Sequence, residues 1–211
     1  MTVTDEPAAA AARKPRRSAE QRRAQILAAA RPLFAERGFH GTTTRDLAEA
    51  AGVNDALLYR YFANKQDILK ALMDEAVAVF ESLPEPPAQL PIALELLLTF
   101  AGEAFVGKAK DNLDLLTILI SEARTLDGET RFVEFVDRAA GRLATLIDRA
   151  AGGCGREDGL HRGYLTARAY FGALISFVLL QDQLGLDRIR PLDASEYVRH
   201  LARLTARGVQ A

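Results

Sequence analysis

Apolar residues recur along this chain at every third or fourth position, the spacing that lines one face of a helix. No stretch sustains the period of two that a half-buried strand needs, so the expected fold class is all-α. Ile26, Leu27, Ala30, Leu33 and Phe34 mark a first helix running from a Ser18 cap to Arg37, with Gly38 stopping it. Pro32 lies inside and is expected to bend this helix or remove one of its hydrogen bonds. Thr43 caps a second helix, with Asp46 three residues on to complete a capping-box-like start and Gly52 at the end. Asn54 caps a third, carrying Leu57, Leu58, Tyr59 and Tyr61. Asn64 caps a fourth, with Ile68, Leu69, Leu72, Ala76, Val79 and Phe80 along one side.

Leu83-Pro84-Glu85-Pro86-Pro87 then reads as the clearest linker. Beyond it, helices are expected over 92–105, opened by Pro91, and over 113–123, 130–151, 160–184 and 194–207. Gly152-Gly153-Cys154-Gly155 breaks the run after 151. The organisation expected is a basic, disordered arm over 1–17, an N-terminal domain over 18–80, and a helical domain over 88–211. In the N-terminal domain, the small face of Leu47, Ala48 and Ala51 lets the next helix cross closely around Val53. That is a helix-turn-helix, with its motif at about 43–62, and its second helix is the one such motifs place in the major groove of DNA.

The wording of this stretch carries more. Gly38-Phe39, Thr43-Thr44-Arg45-Asp46-Leu47-Ala48, Ala51-Gly52-Val53, Leu58-Tyr59-Arg60-Tyr61-Phe62 and Lys65 resemble the DNA-binding domain of TetR-family transcriptional regulators, the TetR/AcrR-like repressors. The resemblance runs from about Ala19 to Phe80. Asn54 stands where that family most often has serine, an equivalent cap, and Ala56 where it often has glycine. The implied partner is double-stranded DNA carrying a palindromic operator.

The DNA-facing candidates are Thr43, Thr44, Arg45, Asn54, Asp55, Ala56, Leu57, Tyr59, Arg60, Tyr61 and Lys65. Asn54 to Leu57 form the leading end of the recognition helix. Arg45 and Arg60 have the bidentate fork that matches guanine; a solvated face is their bland alternative. The motif match places Tyr59 and Tyr61 against phosphates and the thymine methyl or sugar edge, with core packing as the alternative. Thr43, Thr44 and Lys65 sit at helix N-termini, where phosphate is readily gripped.

The segment 169–180 is apolar on all sides, so one face packs inside its domain and the other needs cover. A homodimer joined through 160–184 and 194–207 as a four-helix bundle supplies that cover, and the resemblance implies the same. The resemblance also implies a small-molecule effector in the C-terminal domain. Phe80, Phe105, Thr117, Ile120, Ser121, Arg124, Phe135, Tyr170, Leu174 and Phe177 are the candidates to line its pocket, each with ordinary core as its alternative.

Charge sharpens this division. The net charge is −1, yet residues 1–70 hold 12 Lys+Arg against 8 Asp+Glu, and the remainder holds 15 against 20. A basic third on an acidic remainder suits a nucleic-acid module joined to something else. Arg13, Lys14, Arg16, Arg17, Arg22 and Arg23 either reach phosphates or keep the chain soluble. Cys154 is the one cysteine, so an internal disulfide is out of reach and a reducing, cytoplasmic setting is expected. The start does not read as a signal peptide, and the run 169–180 is too short to span a bilayer, so no membrane role is expected.

Cys154, Glu157, Asp158 and His161 have metal-ligand chemistry at short spacing, but glycines flank them and no third group orients a nucleophile. No metal, no cofactor and no enzymatic activity are expected. The reading is a regulator that a small, largely apolar ligand releases from its operator. The alternatives are a regulator controlled by a protein partner instead, and an enzyme or metal sensor using Cys154 and His161.

Overall fold

The structure is a computed structural model that describes residues 18–84, 93–123, 128–153 and 157–210. The basic arm, most of the proline linker with Pro91 and Ile92, and Arg124 and Cys154 lie outside the described residues. Helix α1 (Ala19–Gly41) opens with a capping box. The Ser18 hydroxyl accepts the Gln21 N–H at 3.1 Å, and the Gln21 side chain accepts the Ser18 N–H at 3.0 Å. The helix passes through Pro32 with helical backbone and breaks at Gly38 instead, where φ 67° and ψ 177° suit glycine alone.

Helix α2 (Thr44–Ala50) starts from the expected Thr43–Asp46 box, and Gly52 leaves it with φ 61°. The Asn54 side chain accepts the Leu57 N–H at 2.8 Å to start α3 (Asp55–Tyr61). The Asn64 side chain does the same for Asp67, also at 2.8 Å, to start α4 (Lys65–Glu81). Then follow α5 (Leu94–Asp111), α6 (Leu113–Ser121), α7 (Gly128–Ala150), α8 (Glu157–Val178) and α9 (Ala194–Gln210). A π-helical turn, Leu179–Gln183, prolongs α8. Among the described residues there is no strand, and the protein is all-α.

Ile26, Phe34, Leu47, Leu58, Ile68 and Leu72 are fully buried where α1, α2, α3 and α4 meet. Leu98, Leu115, Ile118, Tyr170, Leu174 and Val198 form the matching core of the second half, and the two cores are continuous. Helix α6 makes them so, because α1 and α4 both pack on it. The joint is also polar. Arg31 of α1 donates to both carboxylate oxygens of Asp114 at 2.8 Å and reaches Glu75 of α4 at 3.5 Å. This planar two-point match is the strong form of the arginine–carboxylate pair.

The corner between α1 and α2 is held from two sides. Buried Glu122, just past α6, accepts the Phe39 N–H at 2.9 Å. Lys65, the first residue of α4, donates to the Phe39 and Thr42 carbonyls at 2.6 and 2.7 Å, with its ammonium 4.1 Å from the centre of the Phe39 ring.

Residues 161–183 form a helix long and apolar enough, by length and composition, to cross a bilayer; the run 169–180 read from the sequence is only its middle. A third of it is buried inside this fold, so part of that apolar character serves the core. Tyr170 shows how: its hydroxyl donates to the Leu98 carbonyl at 2.6 Å, and burial pushes the phenol's pKa up.

Two substitutions test this packing. A Cβ on Gly163 of α8 would stand 2.7 Å from the Ala144 carbonyl oxygen of α7, a backbone atom that cannot swing aside. Gly163→Ala should therefore lower stability by about 1–3 kcal/mol despite alanine's better helix propensity. Gly107→Ala on α5, with nothing within 4 Å, should be neutral or gain about 0.5–1 kcal/mol. Urea unfolding of the pair reads this, and a stabilised Gly163→Ala would mean that α7 and α8 separate freely.

Lys65→Met keeps an apolar stem near Phe39 but leaves two carbonyls without their donor. A stability loss of about 1–3 kcal/mol is expected. An unchanged melting temperature would show that the ammonium does not hold the corner.

Candidate nucleic-acid interface and apolar cavity

Helix α3 is too short to persist alone, so its neighbours must hold it. Leu58 and Phe62 bury its inner side. Arg23 of α1 donates to the Tyr61 carbonyl at 3.1 Å and lies 4.2 Å above the Phe62 ring, a cation placed at the helix's negative end. Gln25 donates to the Ala51 carbonyl at 2.6 Å and holds the turn. Arg23, grouped in the sequence with the phosphate-seeking arm, thus belongs to the support of α3.

What remains outward is one face. Asp55, Ala56, Tyr59 and Arg60, at positions one and four apart, are all exposed, and Asn54 is exposed beside them with its side chain engaged as the cap. Leu57 and Tyr61 are half-buried, and Tyr61 packs on the core as its alternative reading had it. Arg45 is exposed at the start of α2, next to half-buried Thr44. The Thr43 hydroxyl donates to Asp46 at 2.6 Å, and with the Thr43 N–H it holds the Asp46 carboxyl below the ordinary carboxylate range. This cap is therefore at full strength above the ordinary carboxylate pKa and weakens as pH falls through the lowered one. Lys65 is half-buried and committed to the two carbonyls of the corner, which leaves it one N–H for any other acceptor.

A second site lies at the far end of α4. There Phe80, Glu81, Leu83 and Pro84 join α5, α7 and α8 around a cavity of about 480 Å³. Its size and lining are those of a small-molecule site. Phe80 sits 5.8 Å from Phe105 and 6.1 Å from Phe135, ring centre to ring centre, and Phe105 sits 5.6 Å from Phe171. Phe132, Val136, Leu143, Leu146 and Ile175 complete the apolar wall, and Arg142 and Arg168 are its exposed cations.

Of the residues expected to line a pocket, this cavity brings together Phe80, Phe105 and Phe135. The others lie elsewhere. The Thr117 hydroxyl donates to the Leu113 carbonyl, Ile120 packs against the core, and Ser121 is exposed beyond it. Tyr170 is tied to Leu98, Leu174 is fully buried, and Phe177 stacks on Tyr197 at 4.3 Å. The apolar stripe of α7 was visible as periodicity, but nothing in that periodicity says which part faces a void. Asp158 and His161, read as candidate ligands, are exposed, and among the described residues no group of three His, Cys, Asp or Glu is placed to hold a metal ion.

Comparison with known proteins gives this geometry a context. Residues 26–72 match the family model described as bacterial regulatory proteins, tetR family. The transcriptional repressor KstR2 of Rhodococcus jostii (strain RHA1) is 36% identical over 87 residues, which cover 39% of this chain and 43% of that protein. Matches to the first curated relatives span 43–58% of their length. Two solved structures share the fold over nearly the whole chain. AibR, in complex with isovaleryl coenzyme A and operator DNA, aligns with a TM-score of 0.67 at 21% identity, covering 87% of this chain and 97% of that one. FadR of Bacillus subtilis, in complex with stearoyl-CoA, aligns at 0.65 and 20%, covering 88% and 98%. The match falls on α1 to α4, the helices that build and brace the helix-turn-helix, and it is this part of the chain that is similar to the tetR family of bacterial regulatory proteins.

Proposed function

We propose that this protein is a sequence-specific transcriptional repressor that grips a palindromic operator as a homodimer and lets go when a small, largely apolar ligand fills the cavity. One observation carries the reading: α4 runs without a break from the brace of the helix-turn-helix at Lys65 to the cavity wall at Phe80 and Glu81. At 1.5 Å per residue it is a rod of roughly 25 Å. A ligand that moves its far end turns the near end and changes the spacing between the two recognition helices of a dimer. The acyl thioesters bound to AibR and FadR support a chain-like ligand for a cavity with this lining.

The dimer rests on α8. Leu165, Ala169, Gly172, Ser176 and Leu180 are exposed in one stripe along it, with Leu204 exposed on α9. Small residues between two leucines let another helix approach closely, and an apolar stripe of this kind calls for cover.

Footprinting on the DNA flanking the gene tests the DNA reading. Two half-sites on one face of the duplex, about 34–36 Å apart or a multiple of that, are expected. Arg60→Ala should cost about 1–3 kcal/mol on that site and much less on random DNA, whereas Tyr59→Phe should weaken both evenly. Protection of a single half-site by a monomer, or equal losses for the two variants on both DNAs, would sink this reading.

The release mechanism makes a separate prediction. Ligand and operator should weaken each other's binding by the same factor, a coupling of about 1–3 kcal/mol. Titrating dodecanoyl-CoA into the protein with and without operator measures it. Equal affinities in the two titrations would rule the mechanism out.

A further inference from the structure

The cavity is apolar in its depth but not at its rim. Three charged side chains line it: Glu81 from the end of α4, Arg142 from α7 and Arg168 from α8. Glu81 already has its counterion, because Arg138 donates to it at 2.9 Å, and Arg138 is shared with Glu134 at 3.6 Å. The nearby Asp137 forms no ion pair with a described residue and accepts the Tyr164 hydroxyl at 2.9 Å, with Arg168 acting electrostatically on the same tyrosine. Arg142 and Arg168 form no ion pair with any described residue. The cavity therefore has an aromatic, aliphatic interior and a rim with two exposed arginines outside any ion pair among the described residues.

We infer that Arg142 and Arg168 form a head-group site, so that the ligand is an apolar chain ending in an anion that the two guanidiniums take at the cavity mouth. This rests on the cavity being the ligand site of the proposed repressor, and it adds the chemical class of that ligand. Two helices each supply one planar fork, the geometry that suits carboxylate and phosphate oxygens and does nothing for a neutral or cationic end. The chain displaces water from the phenylalanine-lined interior, and the anion stays at the wet rim, where its desolvation costs little. A carboxylate and the phosphates of an acyl thioester carrier both present such oxygens, and one experiment separates them.

Binding of four probes with one chain length, dodecanoate, dodecanoyl-CoA, 1-dodecanol and dodecyltrimethylammonium, is measured by calorimetry below their micelle concentrations. The full chain is compared with Arg142→Gln/Arg168→Gln, and with Arg149→Gln/Arg162→Gln as a control. The control removes two exposed arginines from the same two helices, outside the cavity lining. At least one anionic probe should bind the native chain about tenfold or more tighter than the alcohol. That preference should vanish in the cavity-rim variant and persist in the control. Tighter dodecanoate than dodecanoyl-CoA identifies a carboxylate head; the reverse order identifies phosphate.

Alcohol binding as tight as the anions, with operator release by both, would overturn the head-group site and leave the proposed function standing. An anionic preference lost equally in the control would reduce it to general surface charge and also overturn it. No binding by any probe would overturn the site together with the ligand reading. Arg142→Lys/Arg168→Lys guards against a folding artefact: it keeps the charge and loses the forks, and should retain part of the preference.

Discussion

The five residues from Gly38 to Thr42 are the point on which this structure turns. Gly38 bends the backbone out of α1, and the bend leaves peptide groups at Phe39 and Thr42 that no helix satisfies. Buried groups of this kind cost on the order of 1–3 kcal/mol each when left unpaired. Here each partner comes from a different element: the Phe39 N–H goes to Glu122 beside α6, and the two carbonyls go to Lys65 of α4. The orientation of α2, and with it α3, is thus set by helices outside the helix-turn-helix itself. Movement of α4 or α6 relative to α1 must break these bonds or carry the corner with it.

That arrangement explains how a seven-residue recognition helix has a defined direction at all. Isolated, α3 would be marginal. Its inner side is locked by Leu58 and Phe62, its C-terminal carbonyl by Arg23, and the turn before it by Gln25. Every one of these locks reaches back to α1 or to the shared core. The Arg31–Asp114 pair then fastens α1 to α6. A chain of packed helices with charged pins moves by discrete repacking rather than by continuous bending, which is what the proposed release from DNA requires.

The sequence was legible where local chemistry decides structure. Ser18, Thr43, Asn54 and Asn64 cap the helices they were expected to cap, and Gly38 and Gly52 end theirs, because a cap needs only residues within one turn. It was less legible where a long helix changes neighbours. The apolar stripes of α7 and α8 were plain, yet the cavity draws on Phe132, Phe171 and Ile175 rather than on Thr117, Tyr170 or Phe177. Periodicity gives the buried face of a helix but not which turns of that face meet an empty space. Lys65 shows the same limit in reverse: a lysine at a helix N-terminus reads as a phosphate contact until the carbonyls of a distant glycine bend are seen beneath it.

The cavity sits at the far end of the helix that begins at this corner. Its wall includes the last turn of α4, while the first turn of the same helix carries Lys65. Glu81, on that last turn, is pinned to Arg138 of α7 across the interface the cavity opens into. The far end of the rod is therefore held by one partly exposed ion pair and an aromatic cluster, and the near end by a corner whose Phe39 and Thr42 carbonyls are both bonded to half-buried Lys65. Exposed pairs are worth on the order of 1 kcal/mol or less, whereas each bond at the corner protects a buried group. Phe80 adds a buried ring to the far end, so both ends of α4 are anchored and the helix joins the cavity wall to the corner. Under the proposed release mechanism, a displacement begun at Phe80 and Glu81 travels along this one helix to the corner that orients α2 and α3.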